Sequence, residues 1–323
     1  MMSVAPQQDM GHPEQPDVSV SIVSYNTCDF LRACLNSLQA RANEGEATLE
    51  IIVADNGSTD GSREMVQNEF PGVRLVDTGG NIGYGRGNNA GLEHARGRYF
   101  LIFNSDAETP PGALAALLKF LDATPRAGVA GAQLISPDGS LQTSWDEVPT
   151  LFDILCEQLY IPRKRRQDKS KDGEAFEVPW ICGASLMVRS EVFREVDGFD
   201  PAYFMYFEDT DLCVRIRKAG HPVFFVPAAR VKHHLGASSG RDWQLRARMI
   251  VAYNQSRFTF FSNNRGRIDG ALVKLYTVTG AALRLMAWSI IALLRPARRD
   301  QVRLFAKTLA DTVRMKPHVH GIS

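Results

Sequence analysis

The sequence predicts an α/β protein whose sheet is mainly parallel, and three observations carry that expectation. Short apolar runs at residues 18–24, 50–54, 73–77, 99–104 and 129–134 alternate with segments of helical pattern, the order that builds a parallel sheet covered by helices. Between the first two runs Leu31, Cys34, Leu35 and Leu38 recur at three- and four-residue steps. That spacing gives one apolar helix face, and the strand–helix–strand connection is right-handed by default. Finally, the runs end on polar residues: Ser24, Tyr25 and Asn26, then Asp55, then Asn104, Ser105 and Asp106. Ligands of open α/β sheets sit at the carboxyl ends of the strands, so a pocket is expected there.

The second half continues less regularly. Residues 163–174 (RKRRQDKSKDGE) are too charged to bury and are expected as an exposed loop, with contact to anionic headgroups or a phosphate-bearing acceptor as the functional alternative. Residues 180–188 are expected as a strand, a short helix starts at Ser190, and another spans 209–219 with Gly220 as its stop signal. Helices are further expected over 243–261, 270–294 and 297–313. This divides the chain into an arm (1–17), a catalytic-type domain (18–262) and C-terminal amphipathic helices (263–323).

Composition bounds the function classes. With 323 residues, 44% hydrophobic, 23% charged and a net charge of +1, the chain resembles an ordinary globular protein and not one that coats nucleic acid. Five scattered cysteines without a CxxC pair suit a reduced cytoplasmic protein. The first 17 residues lack the basic start and apolar stretch of a secretory signal. The nearest candidate for a spanning segment, Leu285 to Leu294, has ten residues between Arg284 and Arg295, short of the ~20 a spanning helix needs. Followed by Arg298, Arg299 and Arg303, it suits a helix lying on an anionic membrane surface; packing on the catalytic domain is the alternative.

Several residues have the chemistry for a site. Asp55 opens the turn Asp55-Asn56-Gly57-Ser58-Thr59-Asp60-Gly61, where a carboxylate can meet a ribose or base, or simply cap its own turn. The Gly-rich segment 79–91 precedes a helix but lacks the Lys-Ser/Thr of a Walker loop. Asp106, with Glu108 two positions on, suits a hard divalent cation, or caps the helix starting near Pro111. Glu208, Asp209 and Asp211 follow the aromatic run 203–207; they either match a helix dipole or include a desolvated base. His233 and His234 end an apolar run, and an imidazole there can complete a carboxylate and phosphate metal site.

Together these segments resemble family 2 glycosyltransferases, in particular their bacterial rhamnosyltransferase branch. The resemblance rests on the order Ser24-Tyr25-Asn26, Asp55 to Gly61, Asn81-x-Gly-Tyr-Gly-x-Gly-x-Asn89, Asn104-Ser105-Asp106, Glu208-Asp209-x-Asp-Leu and His233-His234-x-x-x-Ser-x-Gly-Arg-Asp, across residues 18–242. It implies a GT-A fold, a Rossmann-like mixed sheet, and transfer of a sugar from a nucleoside diphosphate to a hydroxyl of a glycan or lipid-linked acceptor with inversion. By position it implies donor contacts from Ser24, Tyr25, Asn26, Asp55, Asn81, Gly83, Asn89, Asn104 and Ser105. It places a divalent metal, Mg or Mn, on Asp106 and His233. Asp209 is then the base, Glu208 its neighbour near the acceptor, and Trp180 and Gly183 lie on the acceptor side. Asn104 departs from the wider Asp-x-Asp pattern, which leaves metal binding to one carboxylate plus histidine. The implied location is the cytoplasmic face of a membrane. The rival expectations are a non-catalytic nucleotide-sugar-binding scaffold and a nucleotidyltransferase.

Overall fold

The computed structural model describes residues 15–162, 173–234 and 243–316. Most of the expected arm, most of the charged loop (163–172) and the final part of the last motif (235–242) lie outside the described residues. The first half alternates as its sequence pattern requires: β1 (Val18–Ser24), α1 (Cys28–Asn43), β2 (Leu49–Asp55), α2 (Ser62–Glu69), β3 (Arg74–Asp77), α3 (Tyr84–Leu92), β4 (Tyr99–Asn104), β5 (Ala107–Glu108), α4 (Ala113–Ala123) and β6 (Val129–Ile135). Then follow β7 (Trp145–Asp146), α5 (Leu151–Gln158), β8 (Phe176–Glu177), β9 (Trp180–Ile181), β10 (Ser185–Arg189), α6 (Ser190–Glu195), α7 (Glu208–Lys218), β11 (Val223–His233), α8 (Trp243–Arg265), α9 (Arg267–Leu294) and α10 (Arg299–Arg314).

The main sheet runs β3-β2-β1-β4-β10-β6-β11-β5, with β8 on the flank of β11. Its first four strands are parallel. β10 enters antiparallel between β4 and β6, so the sheet is mixed. β1 is buried along its whole length, its serines Ser19, Ser21 and Ser24 included. One sheet face packs on Leu31, Cys34, Leu35 and Leu38 of α1, Met65 and Val66 of α2, and the leucines of α4. The other packs on α3, α6 and α7 through Leu92, Val192, Leu212 and Ile216.

The register levels the functional edge. Ser24 stands opposite Asp55 and Val23 opposite Asn104, so three strand ends open onto one rim. The expected strand over 180–188 is instead two strands, β9 and β10, broken at Cys182-Gly183-Ala184. At that break both backbone groups of Gly183 turn to side-chain partners, Asp209 and Tyr84. Helix α7 starts at Glu208, one residue earlier than expected, after two left-handed residues, Tyr206 (φ 69°) and Phe207 (φ 65°).

The domain boundary expected at residue 262 falls inside α8, which continues to Arg265. The reason is a third apolar cluster in which Ile154, Tyr203, Phe207, Phe260, Phe261 and Val273 join α5, the loop before α7, α8 and α9. Buried Arg257 adds a polar strut, donating to Glu157 Oε1 (2.8 Å), Asn254 Oδ1 (3.0 Å) and Thr277 Oγ1 (2.8 Å). The C-terminal helices are thus built into the catalytic half.

Helix α9 also exceeds expectation. It has 28 residues, and an 18-residue window within it reaches a mean hydropathy of 1.6, long and apolar enough by length and composition to cross a membrane. Small and polar residues such as Gly280, Ala281 and Thr277 interrupt the apolar string in sequence but do not interrupt the helix. Gly270, Val273, Thr277, Gly280 and Ala281 form its packed face at three- and four-residue steps. Leu275, Met286, Ile290, Leu293 and Leu294 stay exposed.

Phe260 is 1% exposed within the aromatic cluster. Phe260→Ala should therefore cost about 3–5 kcal/mol and loosen the loop before α7 along with the C-terminal helices, read as a shifted denaturation midpoint and as faster amide exchange at 203–207.

Candidate active site

The strand-end rim is assembled from side chains that hold one another. Asn26, in a left-handed conformation (φ 54°), receives Thr59 N–H on its Oδ1 at 2.8 Å, while its own N–H donates to Ser58 Oγ at 3.0 Å. Ser24 Oγ bonds Thr27 Oγ1 (3.1 Å), which donates to Ser105 Oγ (3.0 Å). Asp55, 1% exposed, accepts from the N–H groups of Gly57 (3.2 Å) and Ser58 (3.1 Å), with Arg63 at 3.9 Å. Its carboxylate thus shapes its own turn. Tyr25 is half exposed at this rim.

The Gly-rich segment forms the adjoining wall. Asn81 Oδ1 accepts from Gly83 N–H (3.2 Å). Gly83 has φ 95°, and any Cβ there would collide with the Phe204 carbonyl, so the close approach requires glycine. Asn89 clamps the loop before α7: its Nδ2 donates to Phe199 O (2.7 Å) and its Oδ1 accepts from Phe199 N (2.9 Å). Asn89 therefore supports the wall from behind.

Asp106 and His233, 127 positions apart, meet beside Asn104. His233 Nε2 lies 3.3 Å from Asp106 Oδ1 and 3.1 Å from Asn104 Nδ2. Its Nδ1 lies 2.8 Å from Gln142 Oε1. One imidazole nitrogen and one carboxylate converge, a donor set that suits a divalent ion also held by phosphate oxygens or water. Among the described residues no cluster of three or more His, Cys, Asp or Glu side chains could hold a metal. The helix-cap alternative for Asp106 and Glu108 does not hold: α4 starts at Ala113, and Glu46 accepts from Gly112 N (2.8 Å) and Ala115 N (3.2 Å). Glu108 is taken by Lys232 (2.9 Å) and His234 (2.7 Å).

The carboxyl pair at the start of α7 lines a cavity of about 1030 Å³ with His233, Asn104, Trp180, Gly183 and Tyr84. Asp209 Oδ2 accepts from Gly183 N–H (2.9 Å) and Oδ1 from Thr210 N–H (2.6 Å). The Gly183 carbonyl in turn accepts from Tyr84 Oη (2.9 Å). Trp180 Nε1 donates to Glu147 O (3.3 Å), which sets its ring on the cavity wall. Asp211 faces away, bonded to Tyr203, Arg215 and Asn264. Glu208 is 6% exposed and its Oε2 has no hydrogen-bond partner.

Burial, reinforced by the adjacent Asp209 charge, pushes the Glu208 carboxyl up to about 8. Burial also raises Asp209, against the hydrogen bonds from Gly183 and Thr210. At neutral pH Glu208 therefore keeps its proton and Asp209 is the better-supported carboxylate. Tyr84 and Gln142 were not singled out by sequence. Tyr84 stands inside the Asn-x-Gly-Tyr segment, whereas nothing around Gln142 marks it.

A mixed α/β sheet with acidic residues and a histidine at one rim, beside a cavity holding a buried carboxyl pair, is the arrangement that the resemblance to GT-A glycosyltransferases implies. The fold agrees with that of a mannosyltransferase from Pyrobaculum calidifontis solved with GDP-Man and Mn2+, at a TM-score of 0.54 and 19% identity, covering 94% of this chain and 87% of the other. The family described as "Glycosyl transferase family 2" matches residues 19–196. An N-acetylglucosaminyl-diphospho-decaprenol L-rhamnosyltransferase of Mycobacterium tuberculosis is 33% identical over 304 residues, covering 88% of this chain and 96% of the relative. The rhamnosyltransferase WbbL of Escherichia coli (strain K12) is 28% identical over 225 residues, 67% of this chain and 83% of the relative. The chain belongs to glycosyltransferase family 2 and is an enzyme, which sets aside the scaffold and nucleotidyltransferase expectations.

Because Glu208 holds its proton to about pH 8 when folded but ionises near the ordinary glutamate value of 4.5 when unfolded, the unfolded chain binds fewer protons between those values. Stability contributed by this group is present below pH 4.5 and lost as pH rises through 8. Glu208→Gln should therefore melt near wild type at pH 5 and above wild type at pH 8.5, measured by thermal unfolding. An unchanged difference across that range would contradict the assignment.

Proposed function

We propose that the protein transfers rhamnose, with inversion, from a nucleoside diphosphate to a hydroxyl of a lipid-linked glycan acceptor at a membrane surface. The observation that carries the reading is Asp209: it faces the same cavity as His233, with each carboxylate oxygen fixed by a backbone N–H. The rhamnosyl donor and lipid-linked acceptor are suggested by the names of the relatives in Mycobacterium tuberculosis and Escherichia coli.

In this reading Asp209 accepts the proton of the acceptor hydroxyl as that oxygen attacks the anomeric carbon. The bond to the diphosphate oxygen breaks with its electron pair, and the configuration inverts. Protonated Glu208 places no second charge beside the base. Gly183 holds Asp209 in orientation, and Tyr84 holds Gly183. Such positioning is a large part of what enzymes contribute. A divalent ion bound by Asp106 and His233 would neutralise charge on the departing diphosphate. The strand-end rim from Ser24 to Ser105 is the proposed donor side, and Trp180 with Gly183 the acceptor side.

Membrane contact is assigned to α9. Its packed face leaves Ile290, Leu293 and Leu294 exposed, and Arg295, Arg298, Arg299 and Arg303 follow. This suits a helix lying in the headgroup region of an anionic bilayer.

Three outcomes check the proposal. Asp209→Asn should lower turnover by about two to four orders of magnitude with little change in donor affinity, in an assay counting released nucleoside diphosphate; retained turnover moves the base to Glu208. Asp106→Ala should lose turnover and Mn2+ binding together, and undiminished activity in excess chelator would remove the metal. Replacing Ile290, Leu293 and Leu294 by serine should abolish co-flotation with anionic liposomes while leaving the melting temperature unchanged; undiminished flotation places the membrane contact elsewhere.

A further inference from the structure

The His233 ring is held from behind by a side chain that none of the sequence motifs contains. Gln142 is fixed at every polar atom. Its N–H donates to Leu134 O (2.9 Å), and its carbonyl accepts from Gln133 Nε2 (3.0 Å). Its side-chain Nε2 donates to the backbone carbonyl of His233 (2.7 Å) and to Ser136 Oγ (3.1 Å). A carbonyl only accepts, so the atom facing it must be the NH2. The amide orientation follows from that contact, and Oε1 is the atom 2.8 Å from His233 Nδ1.

An amide oxygen carries no proton to give. Nδ1 of His233 therefore holds the hydrogen, and in the neutral ring Nε2 holds the lone pair. The other side of the ring agrees, because Asn104 Nδ2, a donor, lies 3.1 Å from Nε2. A proton on Nε2 instead would turn a lone pair on Nδ1 toward Gln142 Oε1 and an N–H toward the Asn104 amide. Against those two repulsions it would gain one 3.3 Å contact to Asp106, long for a charge-assisted bond.

We propose that Gln142 is a positioning residue for the metal-side histidine, fixing the His233 tautomer so that the Nε2 lone pair faces outward beside Asp106. The inference rests on the reading of Asp106 and His233 as the ligands of a divalent ion. Metal-ligating histidines generally need their second nitrogen anchored in this way, and loss of such an anchor costs about 10–100-fold in metal affinity. Gln142 supplies the anchor from the turn after β6, while its Nε2 ties the same unit to the β11 backbone at His233.

The test uses the full chain labelled with 15N-histidine. In the metal-free protein the His233 signal, identified by its loss in His233→Gln, should report a protonated Nδ1 and an unprotonated Nε2. Gln142→Leu should mix the tautomers and weaken binding of Mn2+ alone by about 10–100-fold, followed by the spectrum of free Mn2+, with melting checked in parallel. Gln142→Glu separates positioning from scaffolding. It can still accept from Nδ1 but can no longer donate to the His233 carbonyl, so it should keep Mn2+ binding well above that of Gln142→Leu. The proposal is overturned if wild-type Nε2 carries a proton, if Gln142→Leu binds Mn2+ like wild type, or if Gln142→Glu loses as much as Gln142→Leu. A wild-type chain that binds no Mn2+ would remove the metal reading itself, and the tautomer signal would still decide whether Gln142 sets the ring.

Discussion

Two neighbouring carboxyl groups buried at the start of one helix set the constraint that the rest of the site answers. A low-polarity pocket cannot hold two adjacent negative charges, so one group stays protonated and the other must be stabilised by donors. The donors come from the backbone: Gly183 and Thr210 each give one N–H to Asp209. Supplying the first of them requires the break between β9 and β10, and that break is steadied by Tyr84 from α3. Bringing α3 close to the loop before α7 requires Gly83 against Phe204. A residue-sized decision about charge therefore reaches three elements that are far apart in sequence.

The parallel half of the fold was legible because its strands are buried on both faces. The continuous apolar run of β4 is what such burial demands, and the polar residues that end the strands fell on the expected rim. The mixed half was less legible. β9 and β10 read as one strand because Cys182, Gly183 and Ala184 carry no turn signal stronger than one glycine. Helix α9 was underestimated because Arg284 ends the apolar stretch in sequence, yet its guanidinium is taken up by Tyr160 and Gln158 and the helix runs on through it.

The site was legible in unequal parts. Asp106 and His233 do converge, and the carboxyl pair does line a cavity. Other motif residues are engaged in hydrogen bonds that shape loops: Asp55 its own turn, Asn26 the turn at Thr59, and Asn89 the loop at Phe199. A motif residue can thus be required for a site by building its wall. Gln142 shows the converse: its partner is 91 positions away, and a lone glutamine has no local pattern by which sequence could reveal it.

The antiparallel strand β10 has a consequence for biosynthesis. In the sheet order it separates β4 from β6, although it is made about 50 residues after β6. A nascent chain that has emerged only to residue 135 can pair β1, β2, β3 and β4, but β6 has neither of its neighbours, since β10 and β11 are still to come. Such distant pairings are slow to close. Gly183 lies just before β10, Asp209 lies between β10 and β11, and β11 itself ends on His233. Completion of the sheet and the meeting of Asp209 with His233 therefore wait on the same strands, and a chain that stops before β10 can form the rim of Ser24 and Asp55 without the buried carboxyl pair.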